Sequence, residues 1–164
     1  MASKPYGDLS LGKHTDYPDH YSPGLLTAIP RVVARQALGI DPDSLPFVGE
    51  DIWNAYELSW LNQCGVPQVA TAEFRLPCDS PAIIESKSFK LYLNSLNQVP
   101  FENRNAVAKV LQRDLSACAG SEVSVKLSAS ENWTSQRFDG LPGQCLDALD
   151  ITADCYLPDA QLLQ

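Results

Sequence analysis

The sequence predicts an α+β domain in which an antiparallel β-sheet carries a pair of helices on one face, in the order β-β-α-α-β-β. Apolar and polar residues alternate with period two before residue 77 and again after residue 122. Between these stretches, two segments repeat apolar residues at helical spacing, and Gly, Pro and Asn mark the junctions.

The first 50 residues predict an irregular arm. Six of the 12 prolines fall within the first 46 residues, where fixed φ angles and missing amide donors oppose long helices and central strands. Apolar residues such as Leu25, Leu26 and Ile29 remain in this stretch. We therefore expect the arm to lie along the domain or along a partner.

Residues 51–62 and 68–76 predict an antiparallel hairpin. The first segment is rich in aromatic and β-branched residues, and both of its faces carry apolar side chains, which predicts a strand covered on both sides. The residues predicted to share one of these faces are Ile52, Tyr56, Leu58 and Trp60. Residues 63–67 contain the Gly and Pro of a turn.

Two helices follow the hairpin. Phe89, Leu93 and Leu96 recur at i, i+4 and i+7, which predicts a helix over residues 86–96. Asn103 is typical of an N-cap and Gly120 of a helix end, and the apolar residues between them predict a second helix.

The last strands of the predicted sheet follow Gly120. Apolar residues 123, 125, 127 and 129 alternate with polar ones, which predicts a strand with one wet face. Residues 130–143 predict a connection, and the alternation over residues 149–154 predicts one further strand.

Charge and composition exclude several classes of function. Twelve Lys and Arg face 20 Asp and Glu, and the net charge of −8 disfavours binding to nucleic acid or to an anionic membrane. The chain shows neither the apolar segment of a secretory signal nor a run long enough to span a bilayer, so we expect a cytoplasmic protein. Five cysteines without a C-x-x-C pair do not predict a disulfide framework.

The usual catalytic templates are absent from the sequence. Only His14 and His20 could supply imidazole, both lie in the arm, and we expect no metal site. There is no G-x-G-x-x-G and no P-loop. Cys118 lies on a helical apolar stripe and Cys64 in a turn, and neither position predicts a nucleophile.

The segment 83–95 crowds a carboxylate, hydroxyls and two ammonium groups around the opening of a helix. Backbone N–H groups and the helix dipole attract anions there, so phosphate is one expected ligand. Glu85 could accept two adjacent N–H donors of a planar heterocycle. The alternative is an ordinary capped helix with Lys87 and Lys90 as solvated charges, and the residues alone leave both interpretations open.

The string Glu85-Ser86-Lys87-Ser88-Phe89-Lys90-Leu91-Tyr92 resembles the signature of the NADPH-dependent nitrile reductases of queuosine biosynthesis, a tRNA modification pathway. These oxidoreductases convert 7-cyano-7-deazaguanine to 7-aminomethyl-7-deazaguanine. The segments 9–13, 51–53, 56–62, 65–70 and 113–116 are also similar to the N-terminal half of the family's long, two-module form. The resemblance implies the tunnelling fold (T-fold), a β-β-α-α-β-β unit.

The resemblance also implies roles for individual residues. Ile83, Ile84 and Glu85 would contact the deazaguanine, with Glu85 as its anchor. NADPH would meet Glu85 and four further residues of the signature: Ser86, Lys87, Ser88 and Lys90. In the family's two-module form, the nucleophilic Cys and the proton-donating Asp belong to the second module, so we assign no catalytic residue to this chain.

We expect three parts: the arm over residues 1–50, a T-fold module over 51–158 and, as the resemblance implies, the start of a linker over 159–164. The expected partners are the C-terminal module and a second copy in a homodimer, and the chain alone is expected to be inactive. The alternatives are a non-catalytic T-fold assembly module and, less favoured because of the few histidines, a zinc-dependent purine or pterin enzyme.

Overall fold

The computed structural model describes residues 18, 20–129, 140, 142–150, 152 and 154–157. Within them, a short 3₁₀ helix spans Pro23–Leu25 and is followed by eight further elements. These are β1 (Ala28–Pro30), α1 (Arg31–Ala37), β2 (Glu50–Leu61), β3 (Pro67–Pro77), β4 (Ala82–Ile84), α2 (Ser86–Asn94), α3 (Arg104–Ala119) and β5 (Ser124–Ala129).

The predicted hairpin and the predicted strand after Gly120 form one antiparallel sheet. Its order is β2-β3-β5, with Trp53 opposite Phe74 and Phe74 opposite Val125. The α2 and α3 helices pack on the face that carries Ala70, Ala72, Phe74 and Leu76, all nearly inaccessible to solvent. The α+β class with a helix pair on an antiparallel sheet is confirmed.

The prediction that Ile52, Tyr56, Leu58 and Trp60 share one covered face is wrong. Ile52 and Tyr56 are 51% and 61% exposed, whereas Leu58 and Trp60 are 1% and 4% exposed. The register with β3 shifts by one residue between Ala55 and Leu58. Such a bulge moves all following side chains to the opposite face, so the inward residues change from Trp53 and Ala55 to Leu58 and Trp60.

Both predicted helices are confirmed; the first ends at Asn94, before the predicted residue 96, and the second has both of its predicted caps. The side chain of Asn103 accepts a hydrogen bond from the Ala106 N–H (3.0 Å), and Gly120 ends α3 with φ of 71°. A Cβ at Gly120 would also lie 3.2 Å from the Pro81 ring. The ring of Phe89 meets Phe74 and Trp53 edge-on at centroid distances of 5.0 and 5.7 Å, which anchors α2 on the sheet.

The arm is more regular than predicted, because β1 and α1 lie within it. Strand β1 pairs antiparallel with β4, with Ile29 opposite Ile83, in a second, two-stranded sheet. The arm was expected to lie along the domain or along a partner, and its described part lies along the domain, because Leu25 and Leu26 pack against the core. The guanidinium of Arg31 then ties α1 to Asp51 and Ser80.

The predicted last strand is not found among its described residues, and the prediction is wrong for them. Residues 149, 150, 152 and 154 belong to no strand, and Leu149 is 47% exposed. Alternation over so short a segment does not stabilise a strand by itself; burial against neighbouring side chains does, and Leu149 is largely unburied. Residues 151 and 153, most of the predicted connection and the predicted linker 159–164 lie outside the described residues.

Candidate functional site

The site is built around the first turn of α2. Glu85 adopts an extended conformation (φ −66°, ψ 130°), and its carboxylate accepts the backbone N–H groups of Lys87 (3.0 Å) and Ser88 (2.6 Å). A carboxylate in this place satisfies two otherwise unpartnered amides and complements the positive end of the helix dipole. Glu85, which was predicted to anchor a ligand, is therefore also the residue that caps the helix beginning at Ser86.

This cap corrects the expected mode of anion binding. The prediction that free amides of this helix receive a phosphate is wrong for Lys87 and Ser88, because the Glu85 carboxylate occupies both. An anion at this end of α2 would therefore depend more on side chains, namely the hydroxyl of Ser86 and the ammonium groups of Lys87 and Lys90, than on these two amides.

Ser88 faces the arm. Its side chain is 1% exposed, and its hydroxyl donates to the Glu85 carbonyl (2.8 Å) and accepts the Thr27 N–H (3.1 Å). The Glu85 N–H in turn donates to the Thr27 carbonyl (2.9 Å), which extends the pairing of β1 with β4 by one residue. Glu85 itself is only 3% exposed.

The two predicted isoleucines do not share a surface. Ile84 is 2% exposed and belongs to the core, whereas Ile83 points into a mostly apolar cavity of about 470 Å³ under α1. That cavity is also lined by Ile29 and Phe47, and Arg35 lies over the Phe47 ring at 5.8 Å. A ligand in contact with the Ile83 side chain would therefore lie on the arm side of β4.

An open groove of about 430 Å³ lies between β2 and α2, and it brings Ser86 and Lys90 together. One wall is formed by the bulged part of β2, including Trp53, Asn54 and Tyr56. The groove combines aromatic surface with amide, hydroxyl, carboxylate and ammonium groups, a composition suited to a polar ligand that carries a ring.

Sequence reasoning missed most of this groove. Ser86, Lys90, Asn94 and Asn97 recur at i, i+4, i+8 and i+11, and this polar stripe along α2 and the turn after it was visible in the sequence. The wall from β2 was not readable, because its orientation depends on the bulge between Ala55 and Leu58.

A second polar cluster lies at the other end of α2. One carboxylate oxygen of Asp114 accepts the phenol groups of Tyr21 (2.5 Å) and Tyr92 (2.6 Å), and Arg113 donates to the other oxygen (2.9 Å). Burial pushes the pKa of the Asp114 carboxyl up, but these donors outweigh it and hold the pKa below its usual value. Burial, reinforced by the Asp114 carboxylate, raises the pKa of Tyr92 and of Tyr21.

The described residues offer no cluster of three or more His, Cys, Asp or Glu side chains that could hold a metal ion. All five cysteines are described and none of them is in a disulfide. Cys118 packs against the core as predicted, and burial raises the pKa of its thiol, which opposes thiolate formation. Among the described helices, none is long and apolar enough to cross a membrane.

Comparison with known proteins gives two findings. Residues 17–127 match the family described as "Nitrile reductase, 7-cyano-7-deazaguanine-reductase N-term". The chain is also 52% identical over 154 residues to the NADPH-dependent 7-cyano-7-deazaguanine reductase of Chromohalobacter salexigens. That alignment covers 94% of this chain but only 55% of the relative, so the chain spans about half of the relative's length.

Proposed function

Because the chain belongs to the family of 7-cyano-7-deazaguanine nitrile reductases, whose N-terminal part it matches, we propose that it forms the N-terminal half of such an enzyme. The complete enzyme would use NADPH to reduce 7-cyano-7-deazaguanine to 7-aminomethyl-7-deazaguanine for queuosine synthesis. The observation that carries the proposal is the placement of Glu85, Ser86 and Lys90 around one helix start, next to an open groove.

Glu85 is the proposed anchor of the deazaguanine ring. An ionised carboxylate has about four lone-pair sites and can accept several donors at once. Capping α2 is therefore compatible with holding adjacent N–H groups of a planar ring, and the cap fixes the orientation of the carboxylate in advance. Ile83 and Ile84 lie in β4, directly before Glu85. They would support the ring indirectly, because β4 holds Glu85 in place.

The residues around the groove fit a dinucleotide phosphate. Ser86 and Lys90 line the groove, where Ser86 can donate a hydrogen bond and the Lys90 ammonium supplies positive charge in an otherwise acidic chain. Lys87, in the first turn of the same helix, would add a second ammonium group. When bound, NADPH supplies the hydride of the reaction. Ser88 was expected to join these contacts, but its hydroxyl already bonds to Glu85 and Thr27. We propose that Ser88 holds Glu85 in place and does not contact NADPH.

Catalysis would require the other half of the enzyme. The nucleophilic Cys and the proton-donating Asp implied by the resemblance are proposed to lie in the region of the relative that this chain does not cover. In this arrangement residues 51–158 form a T-fold module, residues 159–164 begin a linker, and the complete protein works in the cytoplasm as a homodimer.

Complementation in trans tests the proposal. The chain alone, and the uncovered C-terminal part of the Chromohalobacter relative alone, should leave NADPH absorbance unchanged in the presence of 7-cyano-7-deazaguanine. The two together should oxidise NADPH with formation of the amine. Turnover by this chain alone, or no turnover by any combination in which both parts are folded, would contradict the proposal.

A second candidate function is a non-catalytic assembly module, and the exposed edge of the sheet favours it. Strand β2 has 12 residues and lies at an edge of the three-stranded sheet, and an unpaired edge is a template for pairing with another chain. Calorimetric titration separates the two candidates. An assembly module would release no heat with either the nitrile or NADPH, whereas the half-enzyme would bind at least one of them.

A further inference from the structure

Helix α2 carries a buried polar stripe that no proposed ligand contact requires. Ser88, Tyr92 and Ser95 recur at i, i+4 and i+7, and each is at most 1% exposed. Buried polar groups are retained only with hydrogen-bond partners. For this stripe, the partners come mainly from the arm and from α3.

The arm follows α2 from its C-terminal end to its N-terminal end. At the C-terminal end the Ser22 N–H donates to the Ser95 hydroxyl (3.2 Å). At the N-terminal end, the Thr27 N–H donates to the Ser88 hydroxyl (3.1 Å). Just before Ser22 in the arm, the ring of Tyr21 approaches the ring of Tyr92, with the centroids 6.4 Å apart.

Asp114, which belongs to α3, connects this helix to the arm and to α2. Its Oδ2 atom accepts both the arm's Tyr21 phenol and the Tyr92 phenol of α2, while Arg113 donates to Oδ1 and also to the Tyr21 oxygen (2.6 Å). Hydrogen bonds to an ionised acceptor are the strong ones, and this acceptor is only 8% exposed. Tyr21 therefore attaches the described part of the arm to α3 through a charge-assisted hydrogen bond.

The arm in turn holds the backbone of Glu85. The carbonyl of Thr27 accepts the Glu85 N–H (2.9 Å), and the next arm residue, Ala28, pairs with Ile84. The same Thr27 fixes the Ser88 hydroxyl, which also donates to the Glu85 carbonyl. A displacement of the arm would thus remove backbone partners from Glu85 itself.

We propose that Asp114 is a positioning residue for Glu85: it holds Tyr21, Tyr21 holds the arm against α2, and Thr27 of the arm fixes Glu85 and Ser88. This coupling is a property of the chain on its own. Its consequence for the substrate rests on the proposed function, in which Glu85 anchors the ring.

The first test is amide hydrogen exchange on the chain itself. Tyr21→Phe removes one hydroxyl and leaves the ring and the Tyr92 to Asp114 bond in place, whereas Tyr156→Phe makes the same change at a tyrosine that is 91% exposed. We expect exchange in Tyr21→Phe to quicken about tenfold at Ala28 and Ile29 of the arm and also at Glu85, Lys87 and Ser88. The control should match the wild type.

NMR spectroscopy checks that Tyr21→Phe removes a hydrogen bond to Asp114. The carboxyl carbon shift of Asp114, followed by NMR against pH, should report a higher pKa in Tyr21→Phe, because one of the donors that lower it is gone. The pKa should be unchanged in Tyr156→Phe. An unchanged pKa in Tyr21→Phe would overturn the assignment of Asp114 as the acceptor that holds the arm.

The second test uses the chain assembled with the C-terminal half. A misplaced Glu85 should weaken substrate binding without altering chemistry performed elsewhere, so Tyr21→Phe should raise KM for the nitrile about tenfold and change kcat less than twofold. A purely structural role would lower the amount of active enzyme and leave KM unchanged. Asp114→Asn, which keeps one acceptor oxygen but loses the charge, should shift KM in the same direction.

The outcomes separate this proposal from the proposed function. Faster exchange in the arm without a change at Glu85 and Ser88, or an unchanged KM in an active assembly, would overturn the positioning role. If the wild-type assembly shows no turnover, the proposed function fails, and the exchange experiment alone then decides whether Asp114 positions Glu85.

Discussion

Two faces of helix α2 differ in what they contact. Ser86, Lys90 and Asn94 line the open groove beside β2, whereas Ser88, Tyr92 and Ser95 are buried against the arm and α3. At about 100° per residue, Ser88 lies about 200° around the helix from Ser86. One continuous sequence motif therefore serves two surfaces, one available to a ligand and one that holds the fold together.

The residues of a signature motif need not all contact a ligand. Adjacent residues of a helix point in different directions, so a resemblance that covers residues 85–92 does not imply that each of them touches a ligand. Burial separates the two groups: the Ser88 hydroxyl bonds to the chain's own backbone, while Lys90 is exposed.

The largest loss of stability is expected from a substitution in the network at the buried face of α2. Asp114→Ala removes the acceptor of two phenols and of Arg113, so we expect the free energy of unfolding to fall by about 3 kcal/mol. Urea denaturation measures it. Asp150→Ala, at an exposed aspartate, is the control and should stay within about 0.5 kcal/mol of the wild type. Equal effects would show that the buried network does not stabilise the fold.

Alkaline pH probes the same face through Tyr92. Its pKa is raised in the folded chain, so its contribution to stability is complete below the unfolded-state value near 10 and is lost as pH rises above it. We expect a loss of about 1.4 kcal/mol per pH unit above 10 from this group. Denaturation at several pH values should show the loss in the wild type and a shallower one in Tyr92→Phe. Parallel curves would contradict the shift.

Substitutions on the face of α2 that lines the groove should change the affinity for NADPH and leave the free energy of unfolding unchanged. Lys90→Ala removes an exposed ammonium group of the groove, and we expect NADPH to bind the assembled enzyme about tenfold more weakly, or about 1.4 kcal/mol. Lys126→Ala, which removes an exposed lysine from β5, is the matched control. The difference between the variants should shrink as salt is added. Equal affinities for NADPH would remove Lys90 from the cofactor site.

Local signals in the sequence predicted much of the fold. Asn103 and Gly120 mark the ends of α3 because capping depends on neighbours in the chain, and period-two alternation located β2, β3 and β5. The pairing of β1 with β4 and the bulge in β2 were not predicted, because they depend on partners distant in sequence.

The candidate site was predictable in position but not in detail. The helix start at Ser86 followed from the pattern around residue 85. The burial of Ser88 was not visible, since its partner Thr27 lies 61 residues away. The assignment of Ile84 to the core was missed for a similar reason, because the neighbours that bury it come from separate segments of the chain.

Substrate binding by Glu85→Ala and Asn103→Ala shows whether Glu85 anchors the deazaguanine ring. Both substitutions remove the side chain that caps a helix and should cost about 1 kcal/mol of stability each. Calorimetry of the assembled halves with 7-cyano-7-deazaguanine should show binding weakened about 100-fold in Glu85→Ala, as expected for loss of a bidentate contact to a charged group. Affinity should be retained in Asn103→Ala. Equal affinity in the two variants would contradict the role of Glu85 as the substrate anchor.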